Sequence, residues 1–252
     1  MPTQLPPTSP DVTSGSDSAV SSGRFFLLSK KFETGTPWVF AASAFALLVF
    51  VAIASVVMYG TTRDIDERIL LSLRDAANRS DPIGPEWFEN YMRDITALGG
   101  FGVLSLLVLS VSGFLYATGR QKTAVRIFVI SLSGWLLSQG MKLTFQRPRP
   151  DLVPYGADVF SSSFPSGHAM VSAVVFLTLG AALARTTEVA RVRAYVMTLA
   201  IALTLAVGFS RVYLGVHWPT DVLGGWVLGG AWSGLAWIVL RRIERERGER
   251  RD

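Results

Sequence analysis

Six apolar runs constrain this chain more than any other feature. They extend from about Trp38 to Tyr59, Ala97 to Ala117, Ala124 to Leu143, Ser166 to Ala184, Ala194 to Phe209 and Val222 to Leu240. Several approach the roughly 20 residues that a helix needs to cross a bilayer. Only 17% of the residues are charged and mean hydropathy is +0.37, whereas soluble domains carry about a quarter charged residues. The runs are continuous, without the period-2 alternation of a membrane barrel. The expected fold class is therefore all-α: a polytopic membrane protein with six transmembrane helices. Gly99-Gly100, Gly224-Gly225 and Gly229-Gly230 supply the small residues that let helix backbones approach in lipid. The first run is too long for a signal-peptide core and lacks a convincing cleavage site, so it is read as a span.

The rest of the chain divides around this body. Residues 1–23 are rich in Ser, Pro and Thr and are expected to form a disordered tail. Residues 24–240 make one membrane domain, and residues 241–252 a basic cytoplasmic tail. Arg24 to Glu33, reading RFFLLSKKFE, is either a surface-lying stretch or a plain linker. The absence of cysteine excludes disulfides, thiolate metal sites and a cysteine nucleophile.

A net charge of +5 raises the question of nucleic acid, but its distribution points to membrane orientation instead. Arg120, Lys122 and Arg126 follow the second run, and Arg185, Arg191 and Arg193 follow the fourth. The C-terminal tail adds six arginines, and Arg24, Lys30 and Lys31 precede the first run. With six spans all of these lie on one side, which the positive-inside rule makes cytoplasmic. Residues 60–96, 144–165 and 210–221 then lie on the opposite side. The first of these segments carries eight acidic residues against five arginines, with a short helix expected around Arg63–Ala77.

Three polar strings fall on that same non-cytoplasmic side. Lys142 ends the third run and is followed by Arg147-Pro148-Arg149-Pro150. The two prolines predict an extended segment over Gln146–Pro150. Lys and Arg are suited to phosphate oxygens, although a single basic residue at a helix end also snorkels to headgroups. Arg147 either reaches a distal phosphate or headgroup or only stiffens the loop. The second string is Pro165-Ser166-Gly167-His168, at the start of the fourth run. A helix N-terminus offers free amides and partial positive charge. Ser166 is either an N-cap or a phosphate donor, and Gly167 lets an anion approach the backbone.

The third string holds Ser210-Arg211, then His217 six residues on, then Asp221 four further. Pro219 suits the first turn of the sixth helix. Asp221 either caps that helix or reaches back to the His217 imidazole, fixing its tautomer and leaving the other nitrogen for attack. Both histidines of the chain, His168 and His217, belong to these strings on one membrane face. That joint occurrence favours a phosphate-handling site over three unrelated caps.

These strings resemble the type 2 phosphatidic acid phosphatase family (PAP2). Its motifs Lys-x6-Arg-Pro, Pro-Ser-Gly-His and Ser-Arg-x5-His-x3-Asp are complete here at Lys142–Pro150, Pro165–His168 and Ser210–Asp221. The resemblance implies that Lys142, Arg149 and Arg211 bind phosphate oxygens, helped by Ser166 and the Gly167 amide. It implies that His217 attacks phosphorus, that Asp221 orients it, and that His168 protonates the leaving group and then activates water. It implies no metal and no cofactor. The expected activity is hydrolysis of a lipid phosphate at the outer face of the cytoplasmic membrane. The reading leans toward a polyprenyl diphosphate such as undecaprenyl diphosphate, with phosphatidic acid and phosphatidylglycerol phosphate as the other choices. The alternative is a lipid phosphotransferase using the same phosphohistidine. The expected partners are the lipid phosphate and the bilayer, not nucleic acid.

Overall fold

The computed structural model describes residues 36–151 and 162–249. Among them it shows eight helices: α1 Thr36–Met58, α2 Arg63–Ser72, α3 Glu86–Leu98, α4 Phe101–Ala117, α5 Gln121–Phe145, α6 Gly167–Ala184, α7 Ala190–Tyr213 and α8 Pro219–Glu249. No strand occurs among the described residues beyond an isolated bridge between Arg74 and Pro82. Residues 1–23 and the Arg24–Glu33 stretch lie outside the described residues. Residues 1–39 form one unit, described only from Thr36, where α1 begins; residues 40–252 form the other, which contains everything that follows.

Helices α1, α5, α6, α7 and α8 each hold a stretch long and apolar enough to span a bilayer. The sixth span departs from expectation. The run read as continuous from Ala97 to Ala117 is broken into α3 and α4, which together pass the same test but bend by 49°. The break falls at Gly99-Gly100, where helix propensity is low and space is short. A Cβ on Gly99 would collide with Val207 Cγ1 and lie 3.4 Å from His168 Cδ2. Helix α3 places acidic Glu86 and Glu89 in its first turn, where the helix dipole favours them. Helix α2 matches the short helix expected near Arg63, ending at Ser72 rather than Ala77. Helix α8 runs beyond its apolar stretch, so residues 241–249 of the basic tail continue as helix.

Helix α6 is the centre of the bundle, packed against α5, α7 and α8. Glycines set its separations. A Cβ on Gly229 would meet the Met170 carbonyl oxygen at 2.5 Å, and one on Gly225 the Ser166 carbonyl oxygen at 2.7 Å. On the other flank, a Cβ on Gly134 would sit 2.8 Å from Val174 Cγ1. Phe164, just before α6, is fully buried. It stacks on Phe50 of α1 at 5.8 Å and meets Phe145 of α5 edge-on at 5.1 Å. Meanwhile Phe45, Leu48, Leu106 and Phe114 are exposed, as side chains facing lipid tails should be. Gly229→Ala is expected to force α8 off α6. A core overpacked in this way loses about 1–3 kcal/mol, read as a lower midpoint of thermal unfolding in detergent; an unchanged midpoint would refute this account of the contact.

Candidate active site

The three polar strings are tied to one another at one end of the bundle, largely through main-chain groups. Ser163 N–H donates to the Arg147 carbonyl at 2.8 Å, joining the segment that leads into the second string to the first string. Ser166 N–H donates to the Asp221 carbonyl at 2.9 Å, joining the second to the third. Trp218 Nε1–H donates to the Pro148 carbonyl at 3.1 Å, and Arg149 Nη1 to the Val216 carbonyl at 2.9 Å, joining the third to the first. Between Arg211 and His217 the chain reverses at Gly215, whose φ of +75° suits glycine. The loop after α5 differs from the expected extended segment at its first residue. Gln146 has φ 44° and ψ 31°, a left-handed ending of the kind that terminates helices.

His217 stands in the turn between α7 and α8, with 1% of its surface exposed. Its two ring nitrogens face different groups. Nδ1 lies 3.4 Å from Asp221 Oδ2 and Nε2 lies 3.3 Å from Arg149 Nη1. Asp221 can only accept when ionised and Arg149 can only donate. Both contacts therefore assign the proton to Nδ1 and leave the Nε2 lone pair facing the cation. Burial pushes the imidazole down to about 4, against the hydrogen bond and charge of Asp221, which pull it up. The ring is accordingly neutral near neutral pH.

The Asp221 carboxylate is fully buried and densely donated to. Oδ2 accepts from Trp218 N–H at 2.9 Å and from the Ser163 hydroxyl, besides facing His217. Oδ1 accepts from Arg147 Nη1 at 2.5 Å. The carboxylate thus caps α8 and also reaches His217, so the two sequence-level alternatives are both realised.

The cations arrive from three directions. Lys142 is in the last turn of α5 and Arg211 in the last turn of α7. Arg211 Nη1 donates to Thr96 Oγ1 of α3 at 2.9 Å. Lys142 lies in the electrostatic field of Arg149 and Arg211, and all three act on His168, as does His217. His168 occupies the first turn of α6, against the Gly99 break. A Cβ on Gly167 would lie 3.3 Å from Lys142 Nζ and 3.4 Å from Ser138 Oγ, so a side chain there would crowd the lysine. Ser166 is the N-cap residue of α6, yet its hydroxyl makes no capping bond and has no partner among the described residues. It stands at the start of a helix, whose free amides suit an anion.

The structure therefore gathers Lys142, Arg149, Ser166, Gly167, His168, Arg211, His217 and Asp221 at one end of the bundle. Among the described residues no three His, Asp or Glu side chains form a metal-holding group. Sequence reasoning passed over several participants. Asp66 of α2 is completely buried and bonded to Arg147. Arg147 is turned toward the carboxylates of Asp66 and Asp221. Ser138 is buried, with no hydrogen-bond partner among the described residues. The serine carried a detectable signal: it lies one helical turn before Lys142. Asp66 carried none beyond its place in a short helix.

Residues 123–245 match the PAP2 superfamily. Phosphatidylglycerophosphatase B of Bacillus subtilis (strain 168) is 30% identical over 183 residues, covering 72% of this chain and 86% of its own. An undecaprenyl-diphosphatase of Sulfolobus acidocaldarius is 32% identical over 129 residues, 49% of this chain and 54% of its own. A crystal structure of a transmembrane PAP2 type phosphatidylglycerolphosphate phosphatase from Bacillus subtilis superposes with a TM-score of 0.69 at 27% identity. The match covers 80% of this chain and 96% of that one.

With two histidines in the chain, the tautomer is directly measurable. In 15N-histidine-labelled protein in detergent, assigned with a His168→Gln variant, His217 is expected to show a neutral Nδ1–H ring from pH 7 down to pH 5. Protonation should begin only toward its depressed value of about 4. A midpoint near the ordinary 6.5 would overturn the buried, Asp221-held geometry.

Proposed function

This chain belongs to the PAP2 superfamily, and on that premise we propose that it hydrolyses lipid phosphates through a covalent phosphohistidine on His217. The carrying observation is the division of the His217 ring between Asp221 on Nδ1 and Arg149 on Nε2. A phosphate held by Arg149, Lys142 and Arg211 presents phosphorus to the nitrogen that carries the lone pair. In the first step the Nε2–P bond forms and the bond from phosphorus to the leaving oxygen breaks, while His168 supplies that oxygen with a proton. In the second step water attacks phosphorus, His168 takes its proton, and the N–P bond breaks to release inorganic phosphate. The cations and the α6 N-terminus stabilise charge on the equatorial oxygens, where phosphoryl transfer is chiefly catalysed.

An amphiphilic substrate fits the surroundings. An apolar cavity of about 180 Å3 lies between α4, α5 and α6, lined by Phe101, Leu104, Leu132, Trp135, Val171 and Val175 among others. Val171 and Val175 follow His168 by three and seven residues, so they share its face of α6. Phe101 and Leu132 are exposed on the lipid-facing surface. A lipid tail in this groove would leave its headgroup beside His168. Among headgroups, the long likeness to phosphatidylglycerophosphatase B and the shorter one to an undecaprenyl-diphosphatase make phosphatidylglycerol phosphate and undecaprenyl diphosphate the first two to assay. We place the site at the non-cytoplasmic face of the cell membrane, because Arg120, Arg185, Arg191 and Arg193 lie toward the opposite end of the spans.

Purified protein in detergent, given those two lipids and phosphatidic acid with chelator present, is expected to release inorganic phosphate. His217→Ala should abolish release by at least about 1,000-fold, in line with the loss of a nucleophile. Brief exposure to 32P-labelled substrate followed by denaturation should trap an acid-labile, alkali-stable label on the wild type and none on His217→Ala. Undiminished release by that variant would sink the mechanism. Transfer of label to an acceptor lipid, with little free phosphate, would make the enzyme a phosphotransferase. Orientation has its own test, since the chain holds no cysteine. Ser80→Cys should react with a membrane-impermeant maleimide in intact cells, and Thr187→Cys should react only after permeabilisation. The reverse pattern would invert the topology.

A further inference from the structure

We propose that Asp66 and Arg147 are positioning residues for this reaction, acting on His217 through Asp221; the proposal rests on the nucleophile reading above. Neither residue is a fixed position of the three motifs, and Asp66 comes from α2, outside every string. Arg147 divides its guanidinium between two carboxylates. Nη2 bonds Asp66 Oδ2 at 2.7 Å, and Nη1 bonds Asp221 Oδ1 at 2.5 Å and Thr220 Oγ1 at 2.9 Å. Asp66 also holds the residue next to Asp221: Oδ1 accepts Thr220 N–H at 2.9 Å and Oδ2 accepts the Thr220 hydroxyl at 2.7 Å. The Arg147 guanidinium lies 5.6 Å from the centre of the Trp218 ring. Both carboxylate side chains are fully buried, and the arginine side chain is 11% exposed.

This arrangement controls Asp221 in three ways. Asp66 fixes the first turn of α8 through Thr220, and so fixes the backbone from which Asp221 projects. Arg147 occupies Oδ1, so that Oδ2 is the oxygen turned to His217. It also separates two carboxylates that would otherwise share one buried region without a cation between them. Like charges so placed favour protonation of one partner, and a protonated Asp221 would stop orienting the imidazole. A buried ion pair is weak evidence for stability on its own. The informative feature here is that this one ends on the carboxylate that holds the nucleophile.

Steady-state kinetics on the full-length protein with phosphatidylglycerol phosphate or undecaprenyl diphosphate test this, together with the 15N-histidine spectrum. Asp66→Asn and Arg147→Gln are each expected to lower kcat by about 10- to 100-fold, the range seen when groups behind directly acting ligands are removed. KM and inhibition by inorganic phosphate should change by less than about twofold. The double variant should lose little more than the worse single, because the two act as one unit. In both singles the His217 resonances should move from the single Nδ1–H pattern toward a mixture of tautomers. Thr220→Val, which keeps all charges but removes the shared hydroxyl, should give a smaller loss of the same kind and guards against misfolding of the charge variants.

A rise in KM with kcat intact would show that Arg147 touches substrate and would overturn the proposal. So would loss of kcat in proportion to loss of folded protein with the His217 resonances unmoved, which is a merely structural role. The underlying reading fails separately: an active His217→Ala would remove it. A dead His217→Ala beside wild-type rates for Asp66→Asn and Arg147→Gln would remove only this inference.

Discussion

A carboxylate with no exposed surface, that of Asp221, governs how this end of the molecule is built. Burying an ionised carboxylate costs several kcal/mol unless its lone pairs are met by donors and charge. The donors come from everywhere except the immediate helix. Ser163 comes from the segment just before the second string, Arg147 from the first string, and His217 and the Trp218 amide from the turn before α8. Each of these donors reaches the carboxylate from a separate segment, so its full set of bonds needs all of these segments in place. Main-chain bonds from Ser163 to Arg147 and from Ser166 to Asp221 hold the same closure. The geometry of the histidine is therefore a by-product of satisfying one buried anion, and it inherits the rigidity of that requirement.

The bundle supplies the electrostatic frame around this anion. Four antiparallel helices present their ends at the site: the C-termini of α5 and α7 and the N-termini of α6 and α8. Helix C-termini favour cations and N-termini favour anions. The chain follows this rule, with Lys142 and Arg211 in last turns and Asp221 in a first turn. The remaining N-terminus, that of α6, carries Gly167 and an uncapped Ser166. In the proposed mechanism this N-terminus faces the substrate phosphate. Close contacts between α6 and α8 at Gly225 and Gly229 bring the two N-termini near enough to serve one site.

What could be read from the sequence follows from how locally each feature is encoded. Spans are legible because every residue of a lipid-facing helix reports its surroundings. The His217–Asp221 relation is legible because Pro219 marks a helix start and puts Asp221 in its first turn, within reach of the residues just before it. Asp66 was not, because its partners Arg147 and Thr220 are 81 and 154 positions away. Among neighbours such as Asp64 and Glu67 it reads as part of a solvated acidic face, and only the tertiary contact distinguishes it. The same holds for Thr96, 115 positions from Arg211. The break at Gly99-Gly100 looked like helix packing because small residues serve both purposes. The side chains that crowd it, Val207 and His168, arrive from distant helices.

The charges separate into two groups with opposite tasks. On the proposed phosphate side Lys142, Arg149 and Arg211 stand in one another's fields. In the proposed mechanism a phosphate dianion held there would be attracted to all three. On the other side of the His217 ring, Asp66 and Asp221 carry two negative charges against the single positive charge of Arg147. The surplus negative charge faces a ring that is neutral before reaction. When Nε2 bonds to phosphorus in the proposed step, positive charge develops on the imidazole, and the surplus then has something to stabilise. A neutral ring between a cationic pocket and an anionic support is poised to gain from both, but only as the N–P bond forms. Interactions that strengthen between ground state and transition state are the ones that accelerate a reaction.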